Sequence, residues 1–92
     1  MDLEWQDRRL LKLLAEEGPL NASILQEPTG DAFRFDYLPT SQGGEQLGEK
    51  PAYEASRVRR LEADGLLSVT ADASGQFRVE ITPEGTAASR EA

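Results

Sequence analysis

The stretch from Tyr53 to Leu67 constrains the fold of this chain more than any other part of the sequence. When it is wound as a helix at about 100° per residue, Ala55, Val58 and Leu61 fall on one side. Gly65 is the expected end of that helix, because glycine enters the left-handed cap conformation without a side-chain clash. We therefore predict a helix that buries one apolar face in a core and stops at this glycine.

The opposite face of this helix, which we predict over 51–64, is polar and rich in arginine. Arginine pairs with phosphate or bidentately with guanine, serine donates to phosphate, and tyrosine stacks or donates from its hydroxyl. The residues on this side are Tyr53, Ser56, Arg57 and Arg60, with Arg59 at the flank. The alternative is a solvated face in which the arginines pair with the acidic neighbours Glu54, Glu62 and Asp64.

Two short β-prone runs follow the helix, at 66–70 and 77–81, and a polar turn separates them. This pattern predicts a β-hairpin over about 66–81. Thr82 and Pro83 then give a helix-start signal, a threonine cap followed by proline at the first helical position. We expect a short C-terminal helix there, weakened by Gly85.

The order of helix, hairpin and closing segment resembles the second half of a winged helix-turn-helix domain. The matching segments run from Ser56 to Leu67 and from Arg78 to Gly85, and the segment from Leu14 to Leu20 resembles the junction of the first two helices. The chain is similar in particular to the bacterial and archaeal multiple-antibiotic-resistance-type regulators and to the haloarchaeal phage-repressor-like regulators. The resemblance implies one small α+β domain over 1–92, with three helices and a hairpin wing.

The same resemblance implies sequence-specific binding of double-stranded DNA by a transcriptional regulator or repressor of a prokaryotic or archaeal genome. Such a protein inserts the 51–64 helix into the major groove and acts as a homodimer. The polar helix face described above would then meet the groove. Lys50 would contact the DNA backbone, and Arg78 would be the wing contact.

The N-terminal half is expected to begin with a helix over 2–17 that carries a stripe of leucines. Asp7 interrupts this stripe and fits an N-cap or a first-turn acid favoured by the helix dipole. Trp5 either covers the domain edge or anchors a dimer, since aromatic residues are enriched in interface cores. A second helix is expected over 21–27, with 40–48 as the alternative.

The segment at about 28–50 is longer than the short turn of a compact helix-turn-helix, which indicates an insertion. Within it, 32–38 alternates aromatic and polar residues with the period of a half-buried strand. Phe33, Phe35 and Tyr37 project to one side of that strand. They extend the core, or they form a contact surface for a second subunit or another protein.

Composition limits the functions available to the chain. It has seventeen acidic and ten basic residues, a net charge of −7, and neither cysteine nor histidine. Without those two residues the common catalytic triads, cysteine dyads and zinc sites are excluded, and we expect no enzyme, cofactor or metal. No signal peptide or long apolar span is present, so we expect a soluble cytoplasmic protein that does not bind membranes.

The negative charge is unfavourable for DNA binding, because contacts to phosphate dominate that affinity. It fits equally well with high salt, solubility or a protein partner. The second hypothesis is therefore a winged-helix protein-interaction module that does not bind DNA directly. Its expected signs are arginines held in ion pairs and an exposed aromatic patch.

Overall fold

A computed structural model describes residues 3–37 and 50–90 as three helices and an antiparallel five-stranded sheet. The helices are α1 (Trp5–Glu17), α2 (Ala55–Ala63) and α3 (Pro83–Arg90). The strands are β1 (Leu20–Glu27), β2 (Gly30–Phe35), β3 (Ala52–Glu54), β4 (Leu67–Ala71) and β5 (Phe77–Ile81), in the spatial order β3-β2-β1-β5-β4. The described residues thus form a small α+β fold, as predicted, but with more strands.

Helix α1 begins at Trp5, three residues later than the predicted start. Asp7 lies in its first turn and accepts a hydrogen bond from the backbone N–H of Glu4 at 2.8 Å. This confirms the interpretation of Asp7 as a first-turn acid. The helix ends before Gly18, whose N–H donates to the carbonyl of Leu14 at 3.0 Å.

The predicted second helix over 21–27 is wrong, because these residues form β1. The neighbouring strands decide the outcome, because β1 pairs with β2 over residues 22–27 and with β5 over residues 20–22, so that every residue of β1 pairs on at least one edge. Pairing with these two strands overrides the helix-like spacing of a short run. The alternative helix at 40–48 lies outside the described residues.

The predicted insertion at about 28–50 also differs from expectation, because it begins inside the sheet. Its first part is a tight β-hairpin, in which Pro28 and Thr29 form the turn between β1 and β2. Gly30 follows with φ 134°, a conformation that a side chain would strain. Residues 38–49 of the predicted insertion lie outside the described residues.

The aromatic strand is confirmed as β2. Phe33 and Phe35 are fully buried, so they extend the core, and the alternative that they form a contact surface is wrong. Tyr37 follows the end of the strand and is half-buried. The sequence could not separate these outcomes, because a buried and an exposed aromatic face have the same period of two.

The predicted 51–64 helix is shorter than expected, because its first four residues are extended. Phe35 donates its N–H to the carbonyl of Pro51 at 2.8 Å, and Ala52–Glu54 continue this pairing as β3. The helix therefore starts at Ala55. Its buried face contains Val58 and Leu61, as predicted.

The end of α2 and the elements that follow it confirm the sequence predictions. Gly65 adopts φ 79° directly after the helix, as a left-handed stop requires. The hairpin β4–β5 lies within the predicted range, and α3 starts after Thr82. The Thr82 hydroxyl accepts from the N–H of Gly85 at 3.0 Å and donates to the carbonyl of Gly65 at 2.6 Å.

One apolar core lies between the sheet and the helices. Helix α2 packs on β2 and β4, whereas α1 packs on α3 and β5. The fully buried side chains of this core are Leu10, Leu11, Leu14, Phe33, Phe35, Val58, Leu61 and Val79. None of the described helices combines the length and apolar character that crossing a bilayer requires.

Gly85 lies in the first turn of α3, where the backbone of another segment leaves no room for a side chain. A Cβ at this position would collide with the carbonyl of Leu66 and approach Cγ1 of Ile81 at 2.7 Å. We expect Gly85→Ala to lower the free energy of unfolding by about 2 kcal/mol, the size typical of overpacking. Helix propensity alone predicts the opposite sign, a gain of about 1 kcal/mol.

Urea denaturation of Gly85→Ala, with Ala87→Gly as the matched change at an exposed α3 position, separates the two effects. The control is expected to lose about 1 kcal/mol from propensity alone. A Gly85→Ala protein as stable as the parent would contradict the close approach of α3 to Leu66.

Candidate functional site

Asp7 is the one fully buried charged residue among those described, and it joins α1 to α2. Its carboxylate accepts hydrogen bonds from Nη1 of Arg57 at 2.7 Å and from Nη2 of Arg60 at 2.8 Å. Glu4 lies beside them and accepts from Arg57 at 3.3 Å. We call Glu4, Asp7, Arg57 and Arg60 the Asp7 cluster.

The cluster keeps the Asp7 carboxylate ionised. Burial by itself would raise the pKa of Asp7, but the hydrogen bonds from Glu4 N–H and Arg57 and the positive charges of Arg60 and Arg57 hold it below the usual value of 3.8. The pKa of Arg57 is raised, because the contacts with Asp7 and Glu4 outweigh its burial. Helices α1 and α2 are therefore joined by ion pairs between a charged carboxylate and two charged guanidinium groups.

In this geometry, the two arginines at the centre of the predicted DNA-reading face are paired with an acid of α1. The side chain of Arg57 is only 11% exposed, and that of Arg60 is 50% exposed, because both turn towards α1. The sequence did not reveal the pairing, since Asp7 precedes the arginines by about fifty positions. The one available signal was the acid that interrupts the leucine stripe, because a buried carboxylate needs a cationic partner.

The other cations predicted to contact DNA also have acidic neighbours. Arg59 donates to Glu62 at 3.0 Å, and its guanidinium lies over the rings of Phe33 and Phe77 at 5.3 and 5.7 Å. The other two pairs are Arg78 with Glu80 at 2.6 Å and Lys50 with Asp36 at 2.8 Å. Exposed pairs of this kind contribute little to stability, but they reduce the positive charge available to phosphate.

The structure does not gather the predicted DNA contacts into one surface. Arg78 lies on β5, which is separated from β3 and the neighbouring Lys50 by β1 and β2. Ser56 is exposed on α2, whereas Tyr53 is half-buried on β3. Of the predicted contacts, only Arg57 and Arg60 come together, and both donate to the carboxylate of Asp7.

A second group of residues forms an exposed aromatic surface between α1 and β3. Trp5 is 64% exposed and lines a cleft of about 250 Å³ together with Arg9, Pro51 and Tyr53. The guanidinium carbon of Arg9 lies 5.9 Å from the centre of the Trp5 ring, within range of a cation–π contact. We call these four residues the Trp5 surface.

Tyr53 connects the Trp5 surface to the core. Its ring packs edge-to-face on Phe35 with the ring centres 6.0 Å apart. Burial raises the pKa of Tyr53, and the positive charges of Arg9 and Arg57 oppose this only in part. Its phenol therefore stays neutral and offers a hydroxyl donor at neutral pH.

The Trp5 surface continues along α1 into a shallow cleft of about 210 Å³ that Leu13 and Tyr37 help to line. Two of the four predicted interface residues, Trp5 and Tyr37, therefore lie on adjoining clefts, whereas Phe33 and Phe35 are buried. Sequence reasoning missed Arg9, Leu13 and Pro51. Their spacing from Trp5 along α1 could have identified the first two, but Pro51 joins them only through the fold.

Within residues 3–37 and 50–90, no three acidic side chains come together in a way that could hold a metal ion. No protein-family model matches the chain, and comparisons with curated proteins and with solved structures find no significant match.

Proposed function

We propose that this chain is a protein-interaction module that binds its partner through the Trp5 surface. The observation that carries the proposal is the 64% exposure of Trp5 beside a cleft that Pro51 and Tyr53 line. Among the described residues, the other exposed large hydrophobic side chain is that of Ile24, at 39%. Water-exposed tryptophan beside a cleft is typical of an interface anchor.

The surface also has the supporting groups that an interface anchor needs. Arg9 flanks the indole, and tryptophan and arginine are both enriched among residues that dominate binding energy. Tyr53 is held by its contact with Phe35, so it loses little side-chain entropy on binding. A partner that covers the Trp5 surface therefore meets a rigid, amphipathic site.

The charge distribution supports a protein partner over phosphate. The two central arginines of the predicted DNA face are engaged by Asp7, and the chain carries a net charge of −7. Each phosphate contact requires a cation that is free to neutralise it. Ion-paired arginines and an exposed aromatic surface are the two signs that the sequence associated with an interaction module.

The test is to capture partners from an extract of the source cells and to titrate each purified partner against Trp5→Ala and Ile24→Ala. Loss of an anchoring tryptophan costs about 2 kcal/mol or more, so Trp5→Ala should weaken binding about thirtyfold. Ile24→Ala, the other exposed hydrophobic residue, should change the affinity less than about threefold. Partners that bind Trp5→Ala as tightly as the wild type would overturn the proposal.

Sedimentation of the purified protein identifies the case in which the partner is a second copy of the chain. A dimer of the wild type that becomes monomeric in Trp5→Ala would make Trp5 the dimer anchor that the sequence suggested. A dimer that persists in this variant would place the dimer contact elsewhere, so that it would not support this proposal.

Duplex DNA binding by a winged helix is the second proposed function. The order of α2 followed by the β4–β5 hairpin favours it, as does the pairing of β5 with β1, which places that hairpin in the central sheet. Arg59 and Arg60 have side chains that are 49% and 50% exposed. Of the predicted DNA contacts on α2, these two arginines and Ser56 are the ones exposed to solvent and accessible to a groove.

A salt titration of random-sequence duplex DNA tests this second function. Ser56→Glu adds a negative charge at the exposed face of α2, and Ala15→Glu makes the matched change on α1. Binding that falls with salt and is weakened about tenfold by Ser56→Glu alone would support DNA recognition by α2. Equal effects of the two substitutions, or no binding at low salt, would exclude it.

A further inference from the structure

The edge of the sheet beside the Trp5 surface has a backbone suited to a further strand. Among residues 3–37 and 50–90, β3 is the outermost strand on that side, and both Ala52 and Glu54 are exposed. The hydrogen bond from Phe35 N–H to the Pro51 carbonyl fixes which residues face β2. Successive residues of an antiparallel strand alternate between the two edges, so Ala52 directs its N–H and C=O away from the sheet.

Clefts flank this edge on both faces of the sheet. Tyr53 pairs with Phe33 on the face of the sheet that carries the Trp5 cleft, whereas Ala52 pairs with Arg34 on the opposite face. Because Ala52 lies at the edge, it lines the clefts on both faces. On that opposite face a cleft of about 480 Å³ is lined by Leu25, Arg34, Lys50 and Ala52, together with Glu27. An added strand would place alternate side chains in the two clefts.

Among the described residues, the two clefts beside this edge are lined by three cations and one acid, Glu27, while β3 itself carries the exposed Glu54. Arg9 stands in one cleft, and Arg34 and Lys50 in the other. Within the described residues, neither Arg9 nor Arg34 has an acidic group within 4 Å, whereas Lys50 pairs with exposed Asp36. Two such arginines in a chain of net charge −7 favour an acidic ligand.

We propose that β3 accepts an extended acidic peptide segment of the partner protein as an added β-strand. Hydrogen bonds to Ala52 hold the segment, its apolar side chains enter the Trp5 cleft, and its carboxylates meet Arg34 and Lys50 on the other face. This inference rests on the proposed function and specifies the kind of partner. It differs from that function in requiring the backbone of β3.

The probe is a capped peptide of about eight residues in which valine and glutamate alternate, so that each type faces one cleft. The chain has a single tryptophan, Trp5, so its fluorescence reports occupation of the cleft directly. We expect a saturable change in Trp5 emission. A peptide with lysine in place of glutamate should bind about tenfold more weakly, because it meets Arg34 and Lys50 with like charge.

Two proline substitutions test the backbone contact. Ala52→Pro removes the outward N–H of β3, and Ala71→Pro is the matched change on β4. The backbone N–H of Asp72 donates to the Gln76 carbonyl, so the N–H of the preceding residue, Ala71, points away from β5. Both variants are first checked for unchanged circular dichroism and cooperative unfolding. Ala52→Pro should weaken the valine–glutamate peptide at least about tenfold, and Ala71→Pro less than about twofold.

Equal binding of the two peptides, equal effects of the two prolines, or no Trp5 response at millimolar peptide would overturn strand addition. So would slow hydrogen exchange at Ala52 before the peptide is added, since the edge would then already be occupied by the chain itself or by a second copy. If one of these results accompanies a captured partner whose binding requires Trp5, the proposed function stands and only strand addition fails. If no partner depends on Trp5, the proposed function itself fails.

Discussion

Replacing Phe33 with alanine is expected to lower the free energy of unfolding by about 4 kcal/mol. Phe33 is fully buried in β2 and packs edge-to-face on Phe77, with the ring centres 5.3 Å apart. Arg59 covers the same ring, so the substitution removes a cation–π contact as well as apolar burial. For a domain of this size the loss corresponds to a fall of roughly 20 °C in Tm.

Ile24→Ala is the matched control for this prediction, because Ile24 lies directly opposite Phe33 in the β1–β2 pairing and is 39% exposed. We expect it to lose about 1 kcal/mol in urea denaturation. If Phe33→Ala does not fold, Phe33→Leu should still unfold cooperatively with a loss of about 1.5 kcal/mol. Similar losses for Phe33→Ala and Ile24→Ala would contradict the placement of the aromatic strand in the core.

The elements that the sequence predicted correctly are those whose signals are local. The stop at Gly65 requires one positive φ, the β4–β5 hairpin requires a polar turn between two β-prone runs, and α3 requires a threonine cap. The second helix failed for a non-local reason. Whether 21–27 becomes a helix or a strand depends on its two neighbours in the sheet, β2 and β5, which lie elsewhere in the sequence.

The candidate site shows the same division between local and non-local information. The spacing of Arg57 and Arg60 correctly placed them on one side of α2, because helical geometry fixes that relation. What this side contacts depends on where α1 lies, and α1 brings Asp7 to it. The prediction that Trp5 could anchor an interface used residue type alone, whereas its neighbours Pro51 and Tyr53 reach it only because β3 lies beside α1.

Replacing Asp7 with asparagine is expected to lower the free energy of unfolding by about 3 kcal/mol. Asparagine keeps the size of the side chain but removes the buried charge beside Arg57, whose side chain is 11% exposed. Among the described residues, the exposed Glu4 is then the one charged partner left to Arg57. Glu80→Gln breaks the exposed pair with Arg78 and should lose less than about 1 kcal/mol. Urea denaturation of the two variants measures the difference between a buried and an exposed ion pair.

Two further measurements decide whether the lost charge of Asp7 causes the lower free energy of unfolding. In a double-mutant cycle with Arg57→Met, the combined loss should be smaller than the sum of the single losses, because the double variant leaves no uncompensated charge at position 57.

The second measurement is the pH dependence of stability. The pKa of Asp7 is lowered in the folded state. The contribution of its charge to the free energy of unfolding is therefore fully present above the unfolded pKa of 3.8, and it is lost as pH falls through the folded pKa. The stability gap between wild type and Asp7→Asn should therefore be constant from about pH 7 to pH 5 and should narrow below about pH 4. A gap that does not change with pH would show that Asp7 acts through its shape and its helix cap, and not through its charge.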